Sequence, residues 1–194
     1  MSRDKIIRAA VEAFAEKGFH QASMDDIALR AKVAKGTLYY HFTGKSQLFQ
    51  SIVSDGLRQL RARIESDLVT VHTLEQQIRR IVGHHTELFV DYHELAHIVF
   101  HELSNGIEEE VRIELSKQRD AYIAYVASLL KEAQKMGAMR EIDCGLAAAG
   151  MLGLLDSSCS FMLRHQERIS REQVEAFVVT TLRSGILKQG RDES

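Results

Sequence analysis

The chain has 194 residues, 45% hydrophobic and 27% charged, with a formal net charge of −2, two cysteines and neither proline nor tryptophan. That balance excludes a disordered or collagenous chain and leaves enough length for one sizeable core or two small ones. Residues 1–45 hold eight basic and five acidic groups, a net +3, while the remainder is net −5, so a basic end suited to a polyanion is joined to an acidic body.

Without proline, and with apolar positions recurring at three and four rather than two, the pattern predicts an all-α protein. Ile6, Ile7, Ala10, Val11, Phe14 and Ala15 form one stripe, and Gly18 after Lys17 is a stop, so the first helix is expected over Arg3–Lys17. Charges interleaved along this segment interrupt any secretory-signal core, which predicts a cytoplasmic protein. Ser23 is placed to cap a second helix of about eight residues, with Asp25 and Asp26 at its positive end and Ile27, Ala28 and Ala31 on its buried face. Lys32-Val33-Ala34 reads as a tight turn, after which Gly36–Phe42 presents Leu38 and Phe42 inward as a third short helix.

From Lys45, the residues Leu48, Phe49, Ile52, Val53, Leu57, Leu60, Ile64 and Leu68 keep one side apolar through a long fourth helix. Further helices are expected at 73–90, 94–104, 107–136, 143–165 and 171–188, with a frayed tail at 190–194. Within the helix at 143–165, the uncharged run Cys144–Leu155 has 12 residues. As a helix it measures about 18 Å against roughly 30 Å of bilayer core, too short to span. Cys144 and Cys159 lack CxxC spacing and read as small buried hydrophobes.

Two short helices joined by a three-residue turn, the second basic and hydroxyl-rich, have the form of a helix-turn-helix whose second helix enters the DNA major groove. Lys35, Thr37, Tyr40 and His41 project from the exposed side of that helix, and Gly36 lets its backbone approach DNA. Lys35, Thr37 and Tyr40 are expected at the groove or its phosphates. The run Ser23-Met24-Asp25-Asp26-Ile27-Ala28, followed by Ala31-Lys32-Val33-Ala34-Lys35-Gly36-Thr37-Leu38-Tyr39-Tyr40-His41-Phe42 and by Lys45 and Leu48, resembles the signature of the TetR/AcrR transcriptional regulators. Tyr39 and Lys45 match family positions that hold the DNA backbone, Lys45 with help from amides at the start of the fourth helix, and Ser23 is expected to do likewise.

Three residues depart from the family pattern. Lys32 stands where the turn usually has Gly, Ala34 where Ser or Thr usually caps the third helix, and Gly44 where a polar cap usually begins the fourth. The first two each cost about 1 kcal/mol of local stability and remove no proposed contact.

The resemblance implies a helix-turn-helix DNA-binding domain at 1–45 and a helical effector-binding and dimerisation domain at 46–189. The last two helices, 143–165 and 171–188, would pair with their copies, and Gly145, Ala147, Ala148, Ala149, Gly150 and Gly153 make the first of them thin enough for close approach. A two-fold homodimer would set two recognition helices about 34 Å apart on a palindromic operator, and a small effector would release it. Phe89, Tyr92, Phe100, Tyr122, Tyr125, Met151, Phe161 and Met162 are candidate lining residues, an apolar set suited to a hydrophobic, acyl-chain-like effector.

His93-Glu94-Leu95-Ala96-His97 is also a literal H-E-x-x-H, and His101 continues its spacing. A metal-responsive regulator using His93, His97 and His101 is the alternative, and a zinc hydrolase is a more remote one, since a protease needs a third ligand, an open water position and a cleft usually edged by a sheet. No cofactor is expected, and neither a P-loop nor a dinucleotide fingerprint is present.

Overall fold

The computed structural model describes residues 2–91 and 109–186. These form eight helices with no strand among the described residues: α1 (Ser2–Gln21), α2 (Met24–Ala31), α3 (Lys35–His41), α4 (Lys45–Leu68), α5 (Leu74–Asp91), α6 (Glu109–Lys135), α7 (Cys144–Arg164) and α8 (Arg171–Ile186). The expected helix at 94–104 lies outside the described residues.

Two units divide the chain: Met1–Gln59 with Asp91–Gln118, and Leu60–Val90 with Arg119–Ser194. The first unit is built on α1, α2, α3 and most of α4. Its core joins Ile6, Ala10 and Phe14 of α1, Ile27 and Ala28 of α2, Leu38 of α3 and Leu48 and Phe49 of α4, with Leu115 of α6 packed among them. The rings of Phe14, Phe19 and Phe49 lie 5.1–5.7 Å apart. α1 runs beyond the expected end: Gly18, at φ 72°, breaks the helical path as its sequence position predicted, and Phe19–Gln21 resume it.

Local chemistry sets the ends of the short helices. Ser23 Oγ accepts from the Asp26 amide at 3.1 Å to open α2. Lys32 closes it at φ 55° and ψ 46°, the left-handed conformation that favours glycine, with its N–H on the carbonyls of Ala28 and Leu29. Ala34 opens α3 with no side-chain cap. Gly44 leaves the start of α4 to Gln47, whose Oε1 accepts from the Thr43 amide at 2.7 Å.

In the second unit, Leu60 and Ile64 at the end of α4 join Ile78, Val82 and Phe89 of α5, Val126 and Leu130 of α6, Met151 and Leu155 of α7, and Val178 of α8 as buried residues. Reciprocal capping boxes open α5, between Thr73 and Gln76, and α8, between Ser170 and Gln173. Asp143 Oδ1 caps α7 at 2.7 Å from the Leu146 amide, and Gly137, at φ 74°, turns the chain after α6.

α7 requires a correction to the sequence reading. The uncharged run ends at Asp156 as read, but the helix expected over 143–165 is apolar on both sides of that single charge, and by length and composition the whole of α7 is sufficient to cross a membrane. Its physical setting is a core helix: Met151, Leu152, Leu155, Asp156 and Cys159 are buried, and the Asp156 carboxylate is ion-paired inside the unit.

Candidate nucleic-acid interface and effector core

The outward side of α3 carries Lys35, Gly36 and Tyr40, with Tyr40 85% exposed and Tyr39 44% exposed. Thr37 is half-buried beside them, and the His41 ring sits between Tyr40 and Phe42 at centroid distances of 5.3 and 6.4 Å. A Cβ at Gly36 would meet nothing within 4 Å, so packing inside the protein does not demand glycine there. The expected contact residues of α3 thus share an exposed surface formed by a short helix whose inward anchor is Leu38.

Lys35 is not loose on that surface. Its Nζ lies 2.8 Å from Asp25 Oδ1 and 6.0 Å from the centre of the Tyr39 ring. The carboxylate holds the ammonium above its ordinary pKa. Asp25 was read only as a helix-dipole residue; its spacing from Lys35 across the turn was the available signal. Lys17–Asp26 at 2.9 Å and Arg30–Glu16 at 2.6 Å tie α1 to α2, whereas Lys5, Arg8 and Lys32 have no ion pair among the described residues.

Lys45 has a more internal place than its motif position suggested. Its Nζ donates to the carbonyls of His20 at 3.0 Å and Ala22 at 3.1 Å and lies 4.7 Å above the Phe19 ring. Partial burial lowers its pKa. The ammonium therefore fastens the end of α1 to the start of α4, and the first amides of α4, which have no intrahelical partners, are the groups left for an anion.

Among the expected effector-lining residues, Phe89, Tyr122, Met151 and Met162 are buried in the second unit. Tyr125 is half-buried beneath the Arg61 guanidinium, 4.6 Å from its ring centre. Phe161 lies elsewhere: it is 48% exposed, with its ring 4.4 Å from that of His165. Tyr92 and Phe100 lie outside the described residues, as do His93, His97 and His101. Among the described residues no group of three or more His, Cys, Asp or Glu side chains could hold a metal.

This core contains a polar node that the sequence reading missed. Asp156 of α7 accepts from His85 Nε2 of α5 at 3.0 Å and, through its other oxygen, from Arg119 Nη2 of α6 at 3.0 Å. The signal was a single aspartate interrupting an apolar helix, since a buried carboxylate requires partners. The His85 ring lies between Phe89 at 5.4 Å and Tyr122 at 6.3 Å, nearly parallel to the latter. Cys159 is fully buried and its thiol is pushed up to about 12 by burial, in line with its reading as a small hydrophobe. Cys144 is half-buried, its Sγ 3.6 Å from Gln134 Oε1.

Residues 6–52 match the family model described as bacterial regulatory proteins, tetR family, and residues 71–186 match the tetracyclin repressor-like C-terminal domain. The fatty acid metabolism regulator protein of Bacillus subtilis (strain 168) is 28% identical over 183 residues, which cover 94% of each chain. The solved structure of the fatty acid degradation regulator FadR from Bacillus halodurans is 27% identical and superposes with a TM-score of 0.84 over 94% of this chain and 98% of that one. The transcriptional regulator FadR from Bacillus subtilis in complex with stearoyl-CoA gives the same identity, coverage and TM-score. These relatives are transcriptional regulators rather than hydrolases. With both its N-terminal and C-terminal parts matched, the chain belongs to the tetR family of bacterial regulatory proteins.

Proposed function

We propose that this chain is a cytoplasmic repressor that binds a palindromic operator as a homodimer and releases it when a long-chain acyl thioester enters the helical body. The observation that carries the effector class is the similarity, along 94% of the chain, to a fatty acid metabolism regulator and to a FadR structure holding stearoyl-CoA. The buried apolar set Phe89, Met151, Leu155 and Met162 supports it from inside the molecule.

Residues 1–45 form the DNA-binding domain and 46–189 the effector and dimerisation domain. Lys35, Thr37 and Tyr40 read the groove, with His41 beside them, while Gly36 admits the phosphate backbone closely. Tyr39, Ser23 and the first turn of α4 at Lys45 hold phosphates on either side.

Dimerisation uses α7 and α8. Leu146 at 76%, Phe161 at 48% and Phe177 at 55% are exposed large apolar side chains on these two helices. Leu146, Gly150, Gly153, Ser157 and Phe161 follow one another at steps of three and four along α7, the spacing of a packing stripe. A self-complementary pairing of such stripes is the ordinary two-fold solution.

Footprinting on DNA upstream of the chain's own gene tests the reading. The expected result is protection of two inverted half-sites centred about one helical turn apart, or a multiple of it. T37A and Y40A should shift preference among operator variants unequally, and indifference of binding to both changes would remove α3 from the interface.

A further inference from the structure

The two tyrosines of the effector core contain an unexplained feature. Tyr122 is 6% exposed, and its Oη is buried with no hydrogen-bond partner; the buried Oη of Tyr125, one turn later on α6, has none either. Their rings lie 6.4 Å apart. Buried polar groups in folded proteins are nearly always satisfied, and a donor sealed from water without an acceptor is unfavourable. Two such hydroxyls on one helix face, three residues apart, point to an acceptor supplied from outside the chain.

The surroundings restrict what that acceptor is. Arg119 and Asp156 already neutralise each other through a 3.0 Å contact, and the His85 ring stacked beside Tyr122 is held by the same carboxylate. An incoming carboxylate would therefore meet an acidic group with its countercharge already engaged. A neutral carbonyl oxygen needs only donors and has two lone pairs to receive them. Burial also drives the Tyr122 phenol above its ordinary pKa, keeping it protonated as a donor.

We propose that Tyr122, seconded by Tyr125 and braced by the His85–Asp156–Arg119 node, is the polar anchor of the effector site and donates to the carbonyl oxygen of an acyl thioester whose chain occupies the apolar core. This rests on the acyl-thioester reading given above and adds its recognition element: the regulator distinguishes the thioester carbonyl itself, beyond the chain and the coenzyme. It also gives the node a function, since α5, α6 and α7 meet at the one polar atom of the acyl group.

The test is a cycle of two proteins and two ligands by titration calorimetry on the full chain. The ligands are stearoyl-CoA and S-octadecyl-CoA, the thioether that lacks the carbonyl. Wild type should bind stearoyl-CoA about tenfold more tightly than the thioether, and Y122F should bind both with the weaker affinity. Because the hydroxyl has no partner within the chain, Y122F should melt no lower than wild type without ligand. Equal binding of stearoyl-CoA by wild type and Y122F overturns the anchor while leaving the effector class intact. A lower melting temperature for ligand-free Y122F overturns its premise. Failure of wild type to bind either ligand overturns the effector reading and this inference with it.

Discussion

At Lys32, a side chain occupies a left-handed backbone position at φ 55°, where an L-residue is disfavoured by about 1 kcal/mol. K32G should therefore raise the free energy of unfolding by about 0.5 to 1 kcal/mol, the gain being trimmed by the added freedom of glycine in the unfolded chain. A34S should add about 1 kcal/mol by supplying the missing cap of α3. Urea unfolding measures both, and a loss in either variant would mean that the turn differs from the one described. K45A should lower stability by about 2 kcal/mol, because two carbonyls lose a charged donor. K35A should instead leave stability nearly unchanged and reduce the slope of log affinity against log salt by about one. Lys32 and Ala34 were legible in the sequence because backbone conformation and capping are local. The partners of Lys45 were not, since His20 and Ala22 reach it through the packing of α1 on α4.

The same division between local and non-local information holds for whole helices. Both ends of α2 follow from Ser23 and Lys32, and the starts of α5 and α8 from Thr73 and Ser170, each acting within three or four residues. The extent of α7 was expected, but its apolar length was measured only to Asp156, whereas partners on α5 and α6 make that charge tolerable in a core. The outward sides of α7 and α8 carry the element-scale prediction. Phe177 is 55% exposed in the single chain, and a phenyl ring buried in a dimer contributes about 1.5 to 3 kcal/mol. F177E should shift the chain to monomer in sedimentation at micromolar concentration and weaken operator binding accordingly. A dimer unaffected by this change would place the two-fold contact elsewhere.

For the molecule as a whole, the all-α class could be read from spacing, and the family from the Ser23–Leu48 signature. The interior of the body could not: Phe89, Tyr122, Met151 and Met162 were identifiable as apolar, but Phe161, at equal hydrophobicity, faces outward. Hydrophobicity selects residues that leave water without saying whether a core, a ligand or a second subunit receives them. On the function proposed above, acyl-thioester binding and operator binding are coupled with opposite sign, which by linkage must hold in both directions. Native mass spectrometry of the protein on its operator duplex, titrated with stearoyl-CoA and with free coenzyme A as control, measures that coupling directly. The expected spectrum shows two chains per duplex, replaced by free duplex and acyl-CoA-loaded dimer as stearoyl-CoA is added, with coenzyme A alone having no effect. A protein–DNA complex that persists while carrying stoichiometric stearoyl-CoA would contradict it.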